Sequence, residues 1–428
     1  MIKKITLALS LSIASFAANQ PLTVDNLIEL ALTNSPDINI SRSNFLSAEQ
    51  RTKYATGNYL PRLDAIANGG AQGSKLKNES YDNTDVFSGT LSASQLLFDF
   101  GKTTGDISAF SEEANASNAT LHQVISNKIF NVKQDYFRLL RVRSLIRVNE
   151  ENVDLNEKQL HRSKRYFEAG IRTKVDVTDA QVRLIEAQLD LQNVKYDMQL
   201  SRVALEKTVG IMPYAGSYTV YEKKLKLPYL YDTLPLVEQT LLDLEKYAYE
   251  HRYELKQYGH LIKSAKSRVT SVQGDYYPAL YVKGDYMMQN VDDATALVTP
   301  EQQWQAMINL EWNLFSGLQT KAASQEARIN VNKVSSEFVN TKLVIKQETD
   351  NAYISVFKSK YAVKLSESLV EAASEKFAQV QKRYEHGLSD YIELQEARQG
   401  YINAQASLVT TYYDYYVAMA ELDRAVGR

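Results

Sequence analysis

Cysteine is absent from the 428-residue sequence. That excludes disulfides, thiolate metal sites and a lipid-modified N-terminal cysteine. Proline and glycine are few and unevenly spread. None of the 8 prolines lies between Pro61 and Pro213 or after Pro300, and Gly170 is the only glycine between Gly105 and Gly210. Charge of either sign is not in surplus: 49 basic and 51 acidic residues leave a formal net charge of −2, which lacks the basic excess of a nucleic-acid binder. Beyond the N-terminus no apolar run approaches the roughly 20 residues of a spanning helix. The five histidines, His122, His161, His251, His260 and His386, have no metal-ligand spacing, and no nucleophile motif or phosphate loop is found. The expectation is a protein without metal, cofactor or catalytic site.

What is present begins with an export signal. Lys3 and Lys4 precede an apolar run from Ile5 to Ala17, and Ser15-Phe16-Ala17 supplies the small residues that a signal peptidase reads. Residues 1–17 are therefore expected to be a signal peptide. A retained anchor is the alternative, disfavoured by the shortness of the run. The 28 tyrosines suit a surface meeting both lipid and water, and equally suit strands and interfaces.

The mature chain is written twice. Adding 217 carries Leu27 to Leu244, Arg51 to Arg268, Gly57 to Gly274, Tyr59 and Pro61 to Tyr276 and Pro278, Leu97-Phe98 to Leu314-Phe315, Tyr136 to Tyr353 and Gly170 to Gly387. One offset without a net gap marks an internal duplication. The expected plan is a first repeat over 18–210, a linker over 211–235 and a second repeat over 236–428. The proline-free stretches, rich in Ala, Leu, Gln, Glu, Lys and Arg, predict very long helices interrupted once each. The 69 residues from Gly101 to Gly170 would span on the order of 100 Å as helix. Val177, Leu184, Leu191 and Met198 recur every seven residues beside Ala180, Ala187 and Val194, and Leu394, Tyr401, Leu408 and Tyr415 do so beside Ala397 and Ala404. That is a coiled-coil seam, which a structural filament would also have.

Between the helices lie two segments of period two, expected as hairpins over about 59–98 and 276–315. Trp304, Ala306, Ile308, Leu310, Trp312 and Leu314 alternate with Gln305, Asn309, Glu311 and Asn313. Phe87, Gly89, Leu91 and Ala93 alternate with serine and threonine, while Leu63, Ala65, Ala67 and Leu280, Val282, Tyr286, Met288 form weaker partners. Polar loops are expected from Asn68 to Asp85 and from Gln289 to Gln303. A half-buried soluble sheet would alternate in the same way. However, no other apolar element exists to cover four such faces, and both tryptophans fall on the apolar parity. Strands of about 9–11 residues match a tilted membrane crossing. Four strands cannot close a barrel, and lipid does not tolerate an open edge, so several chains would share one.

The chain resembles the TolC family of outer-membrane efflux proteins over essentially its whole mature length. The likeness rests on the duplication, on the Tyr-Leu-Pro and Tyr-Tyr-Pro strand entries, and on the Leu-Phe exits at 97–98 and 314–315. It is sharpest at Arg165–Gly170 with Val175–Ala180, and at Arg383–Gly387 with Ile392–Ala397. The resemblance implies a mainly α protein with membrane β-structure. Three protomers would contribute four strands each to a twelve-stranded β-barrel, continued by a long periplasmic α-helical barrel. The linker, with Pro213, Pro228 and Pro235, would cross an equatorial layer. The end at Arg428 implies that a C-terminal extension seen in some members is absent. Implied partners are two further copies, outer-membrane lipid, a periplasmic adaptor (membrane fusion protein) and an inner-membrane transporter of RND, ABC or MFS type. The function implied is a passive exit duct for efflux or type I secretion. The alternative is a periplasmic coiled-coil adaptor or structural protein, against which the two apolar-faced hairpins argue.

Candidate functional residues follow the turns. Asp176 with Asp179, and Glu393 with Glu396, are i,i+3 acid pairs at helix starts. Complementing the helix dipole is one reason for them. By resemblance they lie at the periplasmic entrance, where a ring of negative charge would favour cations. Relatives close this mouth with links among such acids, a tyrosine and an arginine. Tyr384 matches the tyrosine, Ser389 stands where the arginine is usual, and Arg172 lies in the first repeat. Gly170-Ile171 and Gly387-Leu388 would project from the turns to meet the adaptor, though glycine there also serves the chain reversal. Trp304, Ile308, Leu310 and Trp312 would face lipid.

Overall fold

A computed structural model of the chain describes residues 21–75, 82–211, 218–222, 225, 229–291 and 301–428. The expected signal peptide, Pro213 and Pro228 lie outside these residues. The elements run α1 Val24–Asn34, α2 Pro36–Gly57, β1 Arg62–Ser74, β2 Asp82–Phe98, α3 Lys102–Glu168 and α4 Lys174–Val209. They continue with α5 Leu241–His251, α6 Tyr253–Gly274, β3 Ala279–Val291, β4 Gln302–Glu311, α7 Gln319–Glu385 and α8 Tyr391–Val426. Moving on by 217 positions turns the bounds of α1, α2, β1, α3 and α4 into those of α5, α6, β3, α7 and α8. The duplication is thus structural as well as sequential. Equivalent caps start equivalent helices: the Thr23 hydroxyl accepts from the Asn26 N–H and the Thr240 hydroxyl from the Asp243 N–H, both at 3.3 Å. No helix among the described residues is long and apolar enough to cross a membrane.

The chain divides into two compact units. One comprises residues 1–39, 124–252 and 344–428, and the other residues 40–123 and 253–343. Each unit draws on both repeats.

The second unit carries one antiparallel sheet in the order β1-β2-β3-β4, so β1 and β4 are its edges. Its register places Ala65, Leu91, Tyr286 and Trp304 in one row across the four strands, and Asp64, Ser92, Asp285 and Gln305 in the next. Because successive side chains point to opposite faces, one face is apolar and the other polar. The apolar side chains are not covered: Trp304 is 76% exposed and Ile308 72%. On the polar face Gln305 donates to Asp285 at 2.9 Å and Arg62 pairs with Asp64 at 2.8 Å.

Two sequence expectations are corrected here. Strand β1 continues to Ser74 and β2 begins at Asp82, where a loop from Asn68 to Asp85 was expected. Likewise β3 runs to Val291 and β4 starts at Gln302. The Gly69-Gly70-Ala71-Gln72-Gly73 run pairs without any apolar alternation to announce it. At the other end β4 stops at Glu311, so Trp312 is not a strand residue; its indole N–H donates instead to the Tyr276 carbonyl at 3.2 Å.

In the first unit α8 is the interior helix, burying Leu394, Ala397, Ile402, Leu408, Tyr413, Tyr415 and Leu422. The seams expected on α4 and α8 are its inward faces, with Ala180, Ala187, Ala397 and Ala404 each 3% exposed or less. Helix α8 meets α3 through Arg141–Asp414 at 2.9 Å, Lys133–Asp423 at 3.0 Å and the Ser144–Tyr413 hydroxyl pair at 3.2 Å. It meets α7 through Ser366 and Ser407 and through the stacked rings of Phe377 and Tyr401. The described part of the inter-repeat segment lies against this bundle. Leu22 pairs with Val220, Glu222 is held by Arg143 and Arg147, and Tyr415 donates to the Pro235 carbonyl.

Candidate functional site

Both helix pairs of the first unit reverse through the same turn. Gly170 and Gly387 have φ of +71° and +76°, where an L side chain is strained and glycine is not. The Gly387 N–H reaches the Tyr384 carbonyl at 3.1 Å and the Leu388 N–H the Arg383 carbonyl at 2.8 Å. This Schellman closure usually adds a hydrophobic contact, yet Ile171 and Leu388 are 66% and 70% exposed.

The four acids divide by what they touch. Asp176 accepts from the Thr173 backbone N–H at 3.1 Å and from its hydroxyl at 3.2 Å, which caps α4. In the second repeat Asp390 does the capping, accepting from the Glu393 N–H at 2.7 Å. Glu393 is thereby freed to pair with Arg383 at 3.0 Å and to accept from Ser389. Arg383 also donates to the Leu388 carbonyl at 3.2 Å, bracing the turn. Asp179 and Glu396 carry no ion pair among the described residues.

Tyr384 is 1% exposed, in a cluster with Ala180, Val380, Tyr391, Leu394 and Ala397. The Arg172 guanidinium lies 5.1 Å above its ring, so the structure brings these two candidates together. Burial raises the pKa of the Tyr384 phenol, with Arg172 and then Gln159 opposing.

Sequence reasoning missed two arginines. Arg383 pairs with Glu393 from ten residues before it, across the turn, a separation that gave no spacing signal. Arg398 is 4% exposed, donates to the Leu155 carbonyl at 3.4 Å and to Gln395, and has no carboxylate partner among the described residues. An arginine on a helix is ordinarily solvated, and nothing local marks this one as buried.

The sequence matches the outer membrane efflux protein family over residues 27–211 and 246–428, one segment per repeat. The chain belongs to that family. The toluene efflux pump outer membrane protein TtgC of Pseudomonas putida is 19% identical over 414 residues, covering 94% of this chain and 82% of that protein. The alkaline protease secretion protein AprF of Pseudomonas aeruginosa is 23% identical over 184 residues, covering 43% of this chain and 38% of that protein. Among solved structures, CusC superposes with a TM-score of 0.84 at 16% identity, covering 94% and 92% of the two chains. VceC from Vibrio cholerae gives 0.80 at 18%, covering 94% and 96%. At these identities the structural likeness establishes the shared fold. As an efflux-family protein the chain is an outer-membrane channel with its helical part in the periplasm.

Proposed function

We propose that this efflux-family chain forms, as a homotrimer, the exit duct of a tripartite efflux pump or type I secretion system. Cargo passes from an inner-membrane transporter of RND, ABC or MFS type, through a periplasmic adaptor, to the exterior. The chain contributes a passage and no reaction of its own. The carrying observation, within the family, is a four-stranded sheet with one bare apolar face and two free edges. In lipid every backbone N–H and C=O needs a partner, so such a sheet is viable only when closed by further copies; three copies supply twelve strands. Trp304, Ile308 and Leu310 then face lipid, with Trp312 just beyond the strand end.

The turns form the periplasmic entrance. Asp176, Asp179, Glu393 and Glu396 supply its negative charge, while Tyr384 and Arg172 fasten the helices behind them. Gly170-Ile171 and Gly387-Leu388 offer apolar tips to the adaptor; crosslinkers at Ile171 and Leu388 that never captured one would count against this. Residues 1–17 are removed on export, and 211–235 form the equatorial linker. The test is purification from the outer-membrane fraction followed by single-channel recording in a planar bilayer. A trimer with a small, cation-preferring conductance is expected. A protein that is soluble without detergent and electrically silent would overturn the reading.

A further inference from the structure

One buried charge of the first unit is left without an opposite among the described residues. Arg398 of α8 is 4% exposed, and its hydrogen-bond partners are neutral: the Leu155 carbonyl of α3 at 3.4 Å, the Gln395 amide oxygen and the Tyr391 phenol. The charged side chain acting on it is Arg183, a second cation, itself tied to Glu186 at 2.9 Å. Taking an ion out of water is costly unless an opposite charge meets it. A buried lysine or histidine can shed its proton to escape that penalty, but an arginine cannot. Burial pushes the Arg398 pKa down, with Tyr391 opposing and Arg183 adding to the fall, yet from so high a start that the guanidinium stays charged.

The guanidinium borders a recess of about 60 Å³ between α3, α7 and α8. That is several times the ~10–15 Å³ needed by one water and well short of the roughly 300 Å³ of a pocket for a drug-sized molecule. Lys158, Gln159 and Arg162 line it from α3, Gln381 from α7 and Leu394 from α8; no acid lines it among the described residues. Lys158 and Arg162 are neutralised elsewhere, by Asp154 at 2.6 Å and Glu385 at 2.9 Å. One positive charge therefore stands over in the recess, at Arg398. Gln381 engages one amide hydrogen, with Glu385 at 3.1 Å, which leaves its second for another acceptor. The charge is particular to this place: the repeat mates of Arg398, Lys158 and Arg162 are Gln181, Glu375 and Gln379, none of them a cation.

We propose that the recess holds a small monovalent anion, of the size of chloride or formate, which accepts hydrogen bonds from Arg398 and Gln381 and supplies the missing counter-charge. This site goes beyond the channel reading and stands on the fold of the first unit alone. Leu394 belongs both to the recess and to the cluster around Tyr384. The anion thus ties α8 to α3 at the turn end of the bundle.

Full-length wild-type protein, Arg398→Gln and Gln381→Glu, purified in detergent, are compared in sodium chloride, sodium formate and sodium gluconate at one ionic strength. Gluconate is too large for the recess. Backbone hydrogen exchange at residues 155–162 of the wild type is expected to be about tenfold slower in a fitting salt, present at about ten times its Kd, than in gluconate. Protection by chloride alone identifies a halide site, by formate alone a carboxylate site, and by both a site for either. Arg398→Gln, which removes the charge to be balanced, should respond to none of the salts. Gln381→Glu, which sets a fixed carboxylate in the recess, should be protected alike in all three. Equal wild-type exchange in the three salts, or a salt effect of undiminished size in either variant, overturns the anion site and leaves the channel reading untouched.

Discussion

Tyr384→Phe separates two ways in which a tyrosine of the proposed entrance can act. If its hydroxyl links one protomer to the next, removing that oxygen opens the mouth. Here the residue is 1% exposed within its own chain, and its hydroxyl has no hydrogen-bond partner of ordinary geometry among the described residues. It is sealed from any neighbouring copy. An unsatisfied buried polar group costs about 1–3 kcal/mol, so phenylalanine should be neutral or stabilising by roughly 1 kcal/mol. Tyr384→Ala instead empties the cluster around Ala180, Tyr391 and Leu394, at about 3–5 kcal/mol, and removes the ring beneath Arg172, at about 0.5–1 kcal/mol more. Single-channel recording with parallel thermal unfolding reads both effects. The Phe variant is expected to conduct no more at rest than wild type, and the Ala variant to be less stable and leakier. A Phe variant as leaky as Ala would mean that the hydroxyl bridges protomers, and would refute the argument from burial.

Other perturbations follow from the same structure. Trp304→Lys on the apolar sheet face should cost about 2–4 kcal/mol at mid-membrane and cut the outer-membrane yield of folded protein, whereas Asn309→Lys on the polar face should be tolerated. Glu396→Gln, which removes an unpaired charge, should lower cation preference in bilayer reversal potentials more than Asp176→Asn, whose acid is occupied in capping α4. Burial raises the pKa of Tyr136, Tyr384, Tyr391, Tyr401 and Tyr413. The stability these phenols contribute is complete below their unfolded pKa of about 10 and is lost as pH rises through the higher folded values. Helical circular dichroism should therefore hold to about pH 10 and then fall together with a late rise in tyrosinate absorbance.

Much of this was legible because the duplication acts on whole elements: a single offset in sequence reappears as equal helix bounds. The inner seam of Ala180, Ala187, Leu394 and Leu408 was also plain, since heptad spacing and burial coincide there. At the sheet, alternation outran the backbone at Trp312 and fell short in the glycines of β1, because period two records side-chain polarity and not hydrogen bonding. The turn glycines and the acids were found from motif alone. How Glu393 is neutralised was not, because its partners, Arg383 and Ser389, come together only when the chain reverses.

The two repeats also differ where their helices approach the turns. Toward its end α7 buries Val363, Val370 and Val380, but the matching reach of α3 buries Asn152, Asn156, Gln159 and Ser163, all 6% exposed or less. Asn156 satisfies itself mainly on Asn152, at 2.8 and 3.0 Å, and its own oxygen, like that of Gln405, has no partner among the described residues. Arg398 adds a buried charge beside this seam, with no carboxylate among the described residues to balance it. Half-satisfied polar contacts stabilise less than aliphatic packing and lose less when water enters. Local unfolding free energy should accordingly be lowest along this reach, which is the end of the bundle that carries the acids and the exposed Ile171 and Leu388. Hydrogen exchange faster at Asn152–Ser163 than at Val363–Val380 would bear that out; equal protection would mean that the amide seam costs the closed bundle nothing. The proposed duct, opening at that end and sealed along its length, benefits from that gradient, and α3, not its repeat mate, supplies it.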